Sequence, residues 1–168
     1  MQYLKKAIRL SLVFVAFCAA IAFGIPRLLY AMSMNELRKE CDRTGLECGK
    51  RIATGEYFGI WPYNSAVYEL KAAPQFKGSA FPQSNQDTRK FTYDTGWFPT
   101  SHFDLIENYS SNISHCFTDG AKKIAEQLAY EEGNFARIAA GGPNEKTGTI
   151  CWIASPSEKL FAIGEDHD

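Results

Sequence analysis

One apolar stretch near the start of the chain decides what the rest can fold into. Residues 10–25, LSLVFVAFCAAIAFGI, carry no charge, and Lys5, Lys6 and Arg9 precede them. A helix needs about 20 apolar residues to span a bilayer, whereas the core of a signal peptide takes about 7 to 15. The stretch lies between these lengths. We therefore expect residues 1–27 to be a membrane anchor or a signal segment.

The flanks of this stretch bear on the choice between anchor and signal. Residues 20–22 (AIA) have the small-x-small pattern that signal peptidase accepts, which would allow cleavage before Phe23. In contrast, the helical pattern that continues after Pro26 to Tyr30 is typical of a helix leaving the membrane, with Tyr30 among the lipid headgroups. We take the uncleaved anchor as the expectation and the cleaved signal as the alternative.

Beyond the apolar stretch, the composition is that of one folded domain. The chain has 168 residues, a net charge of −1 and 14% aromatic residues. This balance of charge gives no electrostatic basis for nucleic-acid binding, and the aromatic content excludes a disordered chain. We expect a weakly amphipathic stalk helix over residues 28–44, followed by one extracytoplasmic domain over residues 45–168.

The cysteines predict disulfides. Cys18 lies in the apolar stretch, and four cysteines follow it: Cys41, Cys48, Cys116 and Cys151. An even number in an exported domain is typical of disulfides. Three pairings are open; proximity favours Cys41 with Cys48, which leaves Cys116 with Cys151. A zinc site would need short C-x₂-C spacing, which the sequence lacks, so we expect no metal and no cofactor.

The disulfides also indicate the compartment. Basic residues flank the apolar stretch on both sides, so their charge alone does not fix its orientation. Disulfides form in oxidising compartments, which places the domain outside the cytoplasm. We predict a single-pass protein of a bacterial inner membrane with its C-terminal domain in the periplasm, or a secreted or periplasmic protein if the signal is cleaved.

The C-terminal third predicts an α+β fold. An apolar stripe over residues 117–128, a cap at residue 118 or 119 and a glycine at position 133 indicate a helix. Three strands follow, at residues 135–140, 149–154 and 160–163. We expect a C-terminal helix packed on an antiparallel three-stranded meander, with a Cys116–Cys151 bond stapling helix to sheet.

Aromatic residues and prolines crowd the middle of the chain. Alternation predicts short strands at residues 67–71 and 90–94. Four rings form a candidate binding surface for a glycan or peptide: Trp61, Tyr63, Trp97 and Phe98. The interpretation that we favour is that the rings fill the core of a domain poor in leucine and valine, and the binding surface is the alternative.

Two local patterns have the residue types of hydrolases. Asp94 begins the triplet DTG of aspartic proteases, although Trp97 follows where those enzymes carry Ser or Ala. His102 lies in the run SHFD at residues 101–104, which contains a nucleophile, a base and a carboxylate. Real triads combine distant segments, so adjacency is a poor signal. We expect no catalytic residues and keep an exported hydrolase using Asp94 or His102 as an alternative.

The order of these parts resembles type IV pilin-like subunits. The run AAIA at residues 19–22 before Pro26, the helical continuation and the pair Cys116 and Cys151 carry the likeness. It implies a minor pilin or pseudopilin with an α+β head. The chain departs from the pilin pattern over residues 5–9, which lack the leader glycine and the glutamate that follows it.

These observations favour a non-catalytic role. We expect a membrane-anchored domain that is a structural or protein-interaction subunit of a bacterial envelope assembly. Its partners would be the bilayer, through the N-terminal helix, and other envelope proteins, with no nucleic acid among them.

Overall fold

The computed structural model describes residues 2–55, 65–76, 93–105, 115–141 and 148–167. Its elements are, in chain order, α1 (Gln2–Arg43), β1 (Cys48–Gly55), β2 (Ser65–Leu70), β3 (Tyr93–Asp94), β4 (Phe98–Pro99), a 3-10 helix (Thr100–Leu105), α2 (Asp119–Tyr130), β5 (Phe135–Ala140), β6 (Gly148–Ser155) and β7 (Leu160–His167).

All strands join one antiparallel sheet in the order β1-β2-β7-β6-β5-β3. The short strand β4 also pairs with β5, so β3 and β4 occupy successive parts of the same edge. The predicted meander is present as β5, β6 and β7, and the helix that precedes it packs on the sheet. The expected three-stranded sheet was nevertheless too small, because β1 and β2 extend it beyond β7 and β3 and β4 extend it beyond β5.

Helix α1 is continuous from the apolar stretch into the domain. The expected anchor or signal segment and the expected stalk lie on one helix, which runs through Pro26 and ends at Arg43, where Gly45 turns the chain with a φ of 77°. Its last three turns do not stand clear of the domain. Met34, Leu37 and Cys41 are buried against the sheet.

The sheet is covered by a helix on each face. The buried cluster on one face combines α1 with strand residues: Met34, Leu37, Cys41, Cys48, Ala66, Tyr68, Leu70, Ala139, Trp152, Ala154, Phe161 and Ile163. The cluster on the other face combines α2 with the alternate strand positions: Val67, Phe98, Cys116, Phe117, Ala121, Ala125, Leu128, Ala129, Ala136, Ile138, Cys151, Ile153 and Ala162. This division follows from the period of two in a strand, since buried residues alternate between the faces.

Both disulfides are present, in the pairing that proximity favoured. Cys41–Cys48 joins the end of α1 to the start of β1, and Cys116–Cys151 joins the segment before α2 to the middle of β6. Each bond thus ties one of the covering helices to the sheet.

Two glycines make room for the chain that enters α2. Gly164 lies opposite Cys151 in the ladder, and a Cβ on it would come 2.1 Å from the carbonyl oxygen of Cys116. Gly55 lies opposite Ser65, and a Cβ there would come 2.3 Å from the carbonyl oxygen of Thr118. The segment 116–118 therefore crosses directly over the sheet, where the backbone nitrogen of Thr118 donates to Ser65 Oγ at 3.1 Å.

Candidate functional site

The largest exposed apolar surface of the described protein lies along α1. From residue 10 onward its exposed large apolar side chains are Leu10, Leu12, Val13, Phe14, Val15, Phe17, Ile21, Phe23, Ile25, Leu28, Leu29 and Met32. One part of this helix is long and apolar enough to cross a membrane, and none of that part is buried inside the described structure. Membrane anchors and signal sequences share these properties, so α1 is a candidate for either.

The exposed segment passes directly into the docked segment. Met32 is 59% exposed, whereas Met34 is only 6% exposed, and the hydroxyl of Tyr68 donates to the Met34 carbonyl oxygen at 3.5 Å. Tyr30 packs at the margin of the same cluster, and the Arg51 guanidinium lies 5.8 Å from the centre of its ring. Contact between α1 and the sheet therefore begins within two turns of the exposed apolar side chains.

The first residue of the DTG triplet is held in an ion pair. Asp94 is fully buried, and Arg137 binds its carboxylate with two groups: Nε donates to Oδ1 at 2.9 Å, and Nη2 contacts Oδ2. The backbone nitrogen of Gly96 also donates to Oδ1 at 2.9 Å. Arg137 in turn lies 5.1 Å from the centre of the Trp152 ring. The carboxylate of Asp94 therefore accepts hydrogen bonds from two parts of the fold, the Arg137 side chain and the Gly96 backbone.

The remainder of the triplet extends the sheet. The backbone nitrogen of Thr95 donates to the Ile138 carbonyl oxygen, and the Ile138 nitrogen donates to Thr95 Oγ1, both at 2.9 Å. Thr95 thereby continues the pairing of β3 with β5, and Gly96 turns the chain with a φ of 62°. The structure assigns each member of the triplet a contact with the edge of the sheet.

The run SHFD lies on the 3-10 helix. Ser101 is exposed and His102 is half-buried. The side chain of Asp104 lies outside the described part of the structure. The expectation of a nucleophile, a base and a carboxylate together on this segment therefore falls partly outside the described residues.

The four rings of the candidate binding surface do not form one exposed surface among the described residues. Trp97 is half-buried, and its ring centre lies 4.6 Å from that of Phe76. Phe98 is fully buried among the residues under α2, so it offers no ring to a partner. Trp61 and Tyr63 lie outside the described residues.

The structure instead groups Trp97 with two rings that the sequence analysis did not single out. Phe76 lies 4.7 Å from Phe135, measured between ring centres, and all three rings are half-buried. We call Phe76, Trp97 and Phe135 the aromatic cluster. Phe135 begins a predicted strand, but nothing in the sequence connects it with residue 76.

No protein-family model matches the chain, and comparisons with curated proteins and with solved structures give no significant match.

Proposed function

We propose that the protein is a membrane-anchored, non-catalytic subunit of a bacterial envelope assembly, with its disulfide-bonded domain in the periplasm. One observation carries the anchoring part of the proposal: a single helix exposes apolar side chains between Leu10 and Met32 and is buried against the sheet over its last turns. A helix of this kind connects a bilayer to a domain without a flexible joint.

The two disulfides support the proposed compartment. Both bonds tie helices to the sheet, so the domain requires an oxidising environment to keep its stabilising cross-links. The loop-entropy model gives about 2.4 kcal/mol for the shorter loop and about 3.8 kcal/mol for the longer one. These contributions are a large part of the stability of a small domain.

Extraction at alkaline pH tests the anchor. Membranes from the native host are washed with sodium carbonate, and the intact mass of the protein is measured with and without reduction before thiol alkylation. A full-length chain retained in the pellet supports the anchor. A soluble chain that has lost residues 1–22 supports the cleaved signal and overturns the anchor. Alkylation of Cys41, Cys48, Cys116 and Cys151 without reduction would overturn the periplasmic assignment.

Crosslinking tests the interaction role. A photoreactive amino acid at Trp97, in the half-buried aromatic cluster, should give discrete crosslinks to envelope proteins in native membranes. The matched control is the same amino acid at Tyr130, which is 81% exposed on α2. Equal crosslinks from both positions, or none from Trp97, would contradict a partner at the cluster.

A pilin-like subunit is the second candidate. It is supported by the continuous α1 whose last turns lie on an antiparallel sheet, together with a C-terminal disulfide between helix and strand. Paired cysteines introduced along the exposed half of α1 should then crosslink copies of the chain to each other in membranes. Their failure to do so, in a chain that is anchored, would leave the single-copy interaction role. The pairing of Asp94 with Arg137 gives a hydrolase no comparable support.

A further inference from the structure

After the apolar stretch, one face of α1 carries first a charged residue and then residues that are buried on the sheet. Arg27, Tyr30, Met34, Leu37 and Cys41 follow each other at intervals of three or four, so they lie along one side of the helix. The last three are buried on the sheet. Arg27, which is exposed, therefore lies on the same side of the helix as the domain, one turn before the domain begins.

The length of the apolar stretch fixes the depth of these residues. Arg9 and Arg27 enclose it, and eighteen helical steps of about 1.5 Å separate their Cα atoms by about 27 Å, close to the ~30 Å of a bilayer core. Arginines at both limits can extend their guanidinium groups to the interface. Tyr30, about 4.5 Å further along the axis, then lies at the level of the headgroups.

Strand β1 runs back along α1 towards the same interface. Its first residue, Cys48, is bonded to Cys41, whereas Arg51 lies over Tyr30, eleven residues nearer the start of the helix. The strand is therefore antiparallel to the helix. Because Tyr30 is at the headgroup level, Arg51 is at that level too.

The charge in this region is basic. Lys50 and Arg51 are exposed on β1, which is the edge strand of the sheet. The carboxylates of Glu36 and Glu40, further along α1, form ion pairs with Lys39 and Arg43. A guanidinium group is suited to bind a phosphate through two hydrogen bonds.

We propose that Arg27 and Arg51 bind the phosphates of anionic lipid headgroups, and that this contact seats the β1 edge on the membrane surface that α1 enters. The inference rests on the proposed anchoring by α1 and adds to it a lipid class and a binding face. It also gives a role to Arg27 and Arg51, which lie on the periplasmic side of the membrane, where positive charge is otherwise disfavoured.

The test uses the full chain in nanodiscs of phosphatidylcholine, alone or with phosphatidylglycerol as the minor component. Hydrogen exchange is followed by mass spectrometry for the β1 residues 50–53. In the wild type, anionic lipid should slow exchange of these amides about fivefold or more. Each basic residue near an anionic surface raises the affinity for that surface about fivefold. The Arg27→Gln/Arg51→Gln variant should show no difference between the two disc types.

Matched variants separate this effect from a change in folding. Lys122→Gln/Lys123→Gln removes the same charge from α2, on the opposite face of the sheet, and should keep the full lipid effect. Arg51→Lys retains the charge and should keep most of it. Because each variant is compared with itself in the two lipids, a general loss of stability cancels.

Three results would overturn the inference. One is an equal exchange rate in both discs for the wild type, and another is an undiminished lipid effect in the double glutamine variant. A third is equal protection from inorganic phosphate in discs of phosphatidylcholine alone, which would assign the arginines to a soluble anion. Failure of the chain to enter discs is a different outcome, because it would overturn the anchoring itself.

Discussion

At the scale of single residues, Gly164 is the position where the packing leaves least freedom. Its neighbours in the ladder are Cys151 and Ser65, and the chain at Cys116 passes so close that a Cβ would come 2.1 Å from a carbonyl oxygen. The disulfide between Cys116 and Cys151 therefore depends on the glycine beside it. A side chain here would push the crossing segment away from the sheet.

We expect Gly164→Ala to lower the free energy of unfolding by about 1 to 3 kcal/mol, the range for inserting a methyl group into a packed core. Urea denaturation of the full chain in detergent, followed by circular dichroism, measures this change. Gly24→Ala is the control, because no atom lies within 4 Å of its Cβ and the position is helical. Similar losses in both variants would contradict the close approach at Gly164.

Asp94 is a second residue whose surroundings determine its role. Because Asp94 is fully buried whereas the side chain of Arg137 is 21% exposed, we expect Arg137→Met to cost about 3 to 5 kcal/mol by leaving the buried carboxylate without its partner. The Asp94→Ala/Arg137→Met variant should recover much of this loss, which urea denaturation of the full chain would detect. Additive losses in the double variant would argue against the ion pair.

Tyr68 gives the docked helix a dependence on pH. Burial raises the pKa of its phenol above the usual value, although Arg51 and Arg38 act in the opposite direction. Since the neutral form is favoured in the folded state, its contribution is complete below pH about 10 and is lost as pH rises through the raised pKa. We expect the urea midpoint to stay constant up to about pH 10 and to fall as the pH rises further.

The Tyr68→Phe variant should reduce this alkaline loss, because it removes the ionising group while keeping the ring. A Cys18→Ser background avoids thiol exchange, since Cys18 is the free cysteine among the described residues and is exposed. An unchanged alkaline slope in the phenylalanine variant would assign the loss to other groups.

At the scale of elements, local pattern was sufficient where burial follows a regular period. Strand β5 has the predicted bounds, and β6 and β7 extend by a few residues beyond theirs. Helix α2 was recognisable from its apolar stripe, and Gly133 closes the turn after it with a φ of 83°. These elements could be predicted because each buries one alternate or helical set of residues.

Strand β1 could not be predicted, for a physical reason. It is an edge strand whose middle residues, Lys50, Arg51 and Ile52, are all exposed, and its pairing with β2 shifts register twice. The alternation that identifies a strand is therefore absent. The aromatic cluster was equally hidden, since Phe76 and Phe135 are brought together by the fold and not by spacing.

The two disulfides make a prediction at this scale. Replacing Cys116 and Cys151 by alanine should cost about 3.8 kcal/mol, whereas replacing Cys41 and Cys48 should cost about 2.4 kcal/mol, because the loop closed by Cys116–Cys151 is longer. Urea denaturation of the two double variants, each against the wild type, measures the difference. A larger effect of the shorter loop would show that strain or packing outweighs loop entropy.

At the scale of the whole molecule, one continuous helix carries both the exposed apolar segment and the residues that pack on the sheet. The sequence suggested a stalk, because the amphipathicity of residues 28–44 is weak. The structure explains why the amphipathicity is weak, since only the narrow stripe of Met34, Leu37 and Cys41 is buried on the sheet. A stripe of three residues gives little periodic signal, and which sheet face it meets depends on strands far along the chain.

This arrangement makes Leu37 decisive for the coupling of helix and domain. It is 1% exposed, so Leu37→Ala should lower the free energy of unfolding by about 2 to 5 kcal/mol, while Met32→Ala, at a side chain 59% exposed, should change it little. In the wild type, probes on α1 and on the sheet should unfold at one urea concentration. With Leu37→Ala the α1 probe should become mobile at a lower urea concentration than the sheet probe, because the apolar contact that holds α1 on the sheet is weakened. The Cys41–Cys48 bond still tethers the end of the helix, so the sheet can stay folded. Spin labels on exposed positions of each element measure this separation, and coincident transitions in the variant would contradict a domain held to α1 by this stripe.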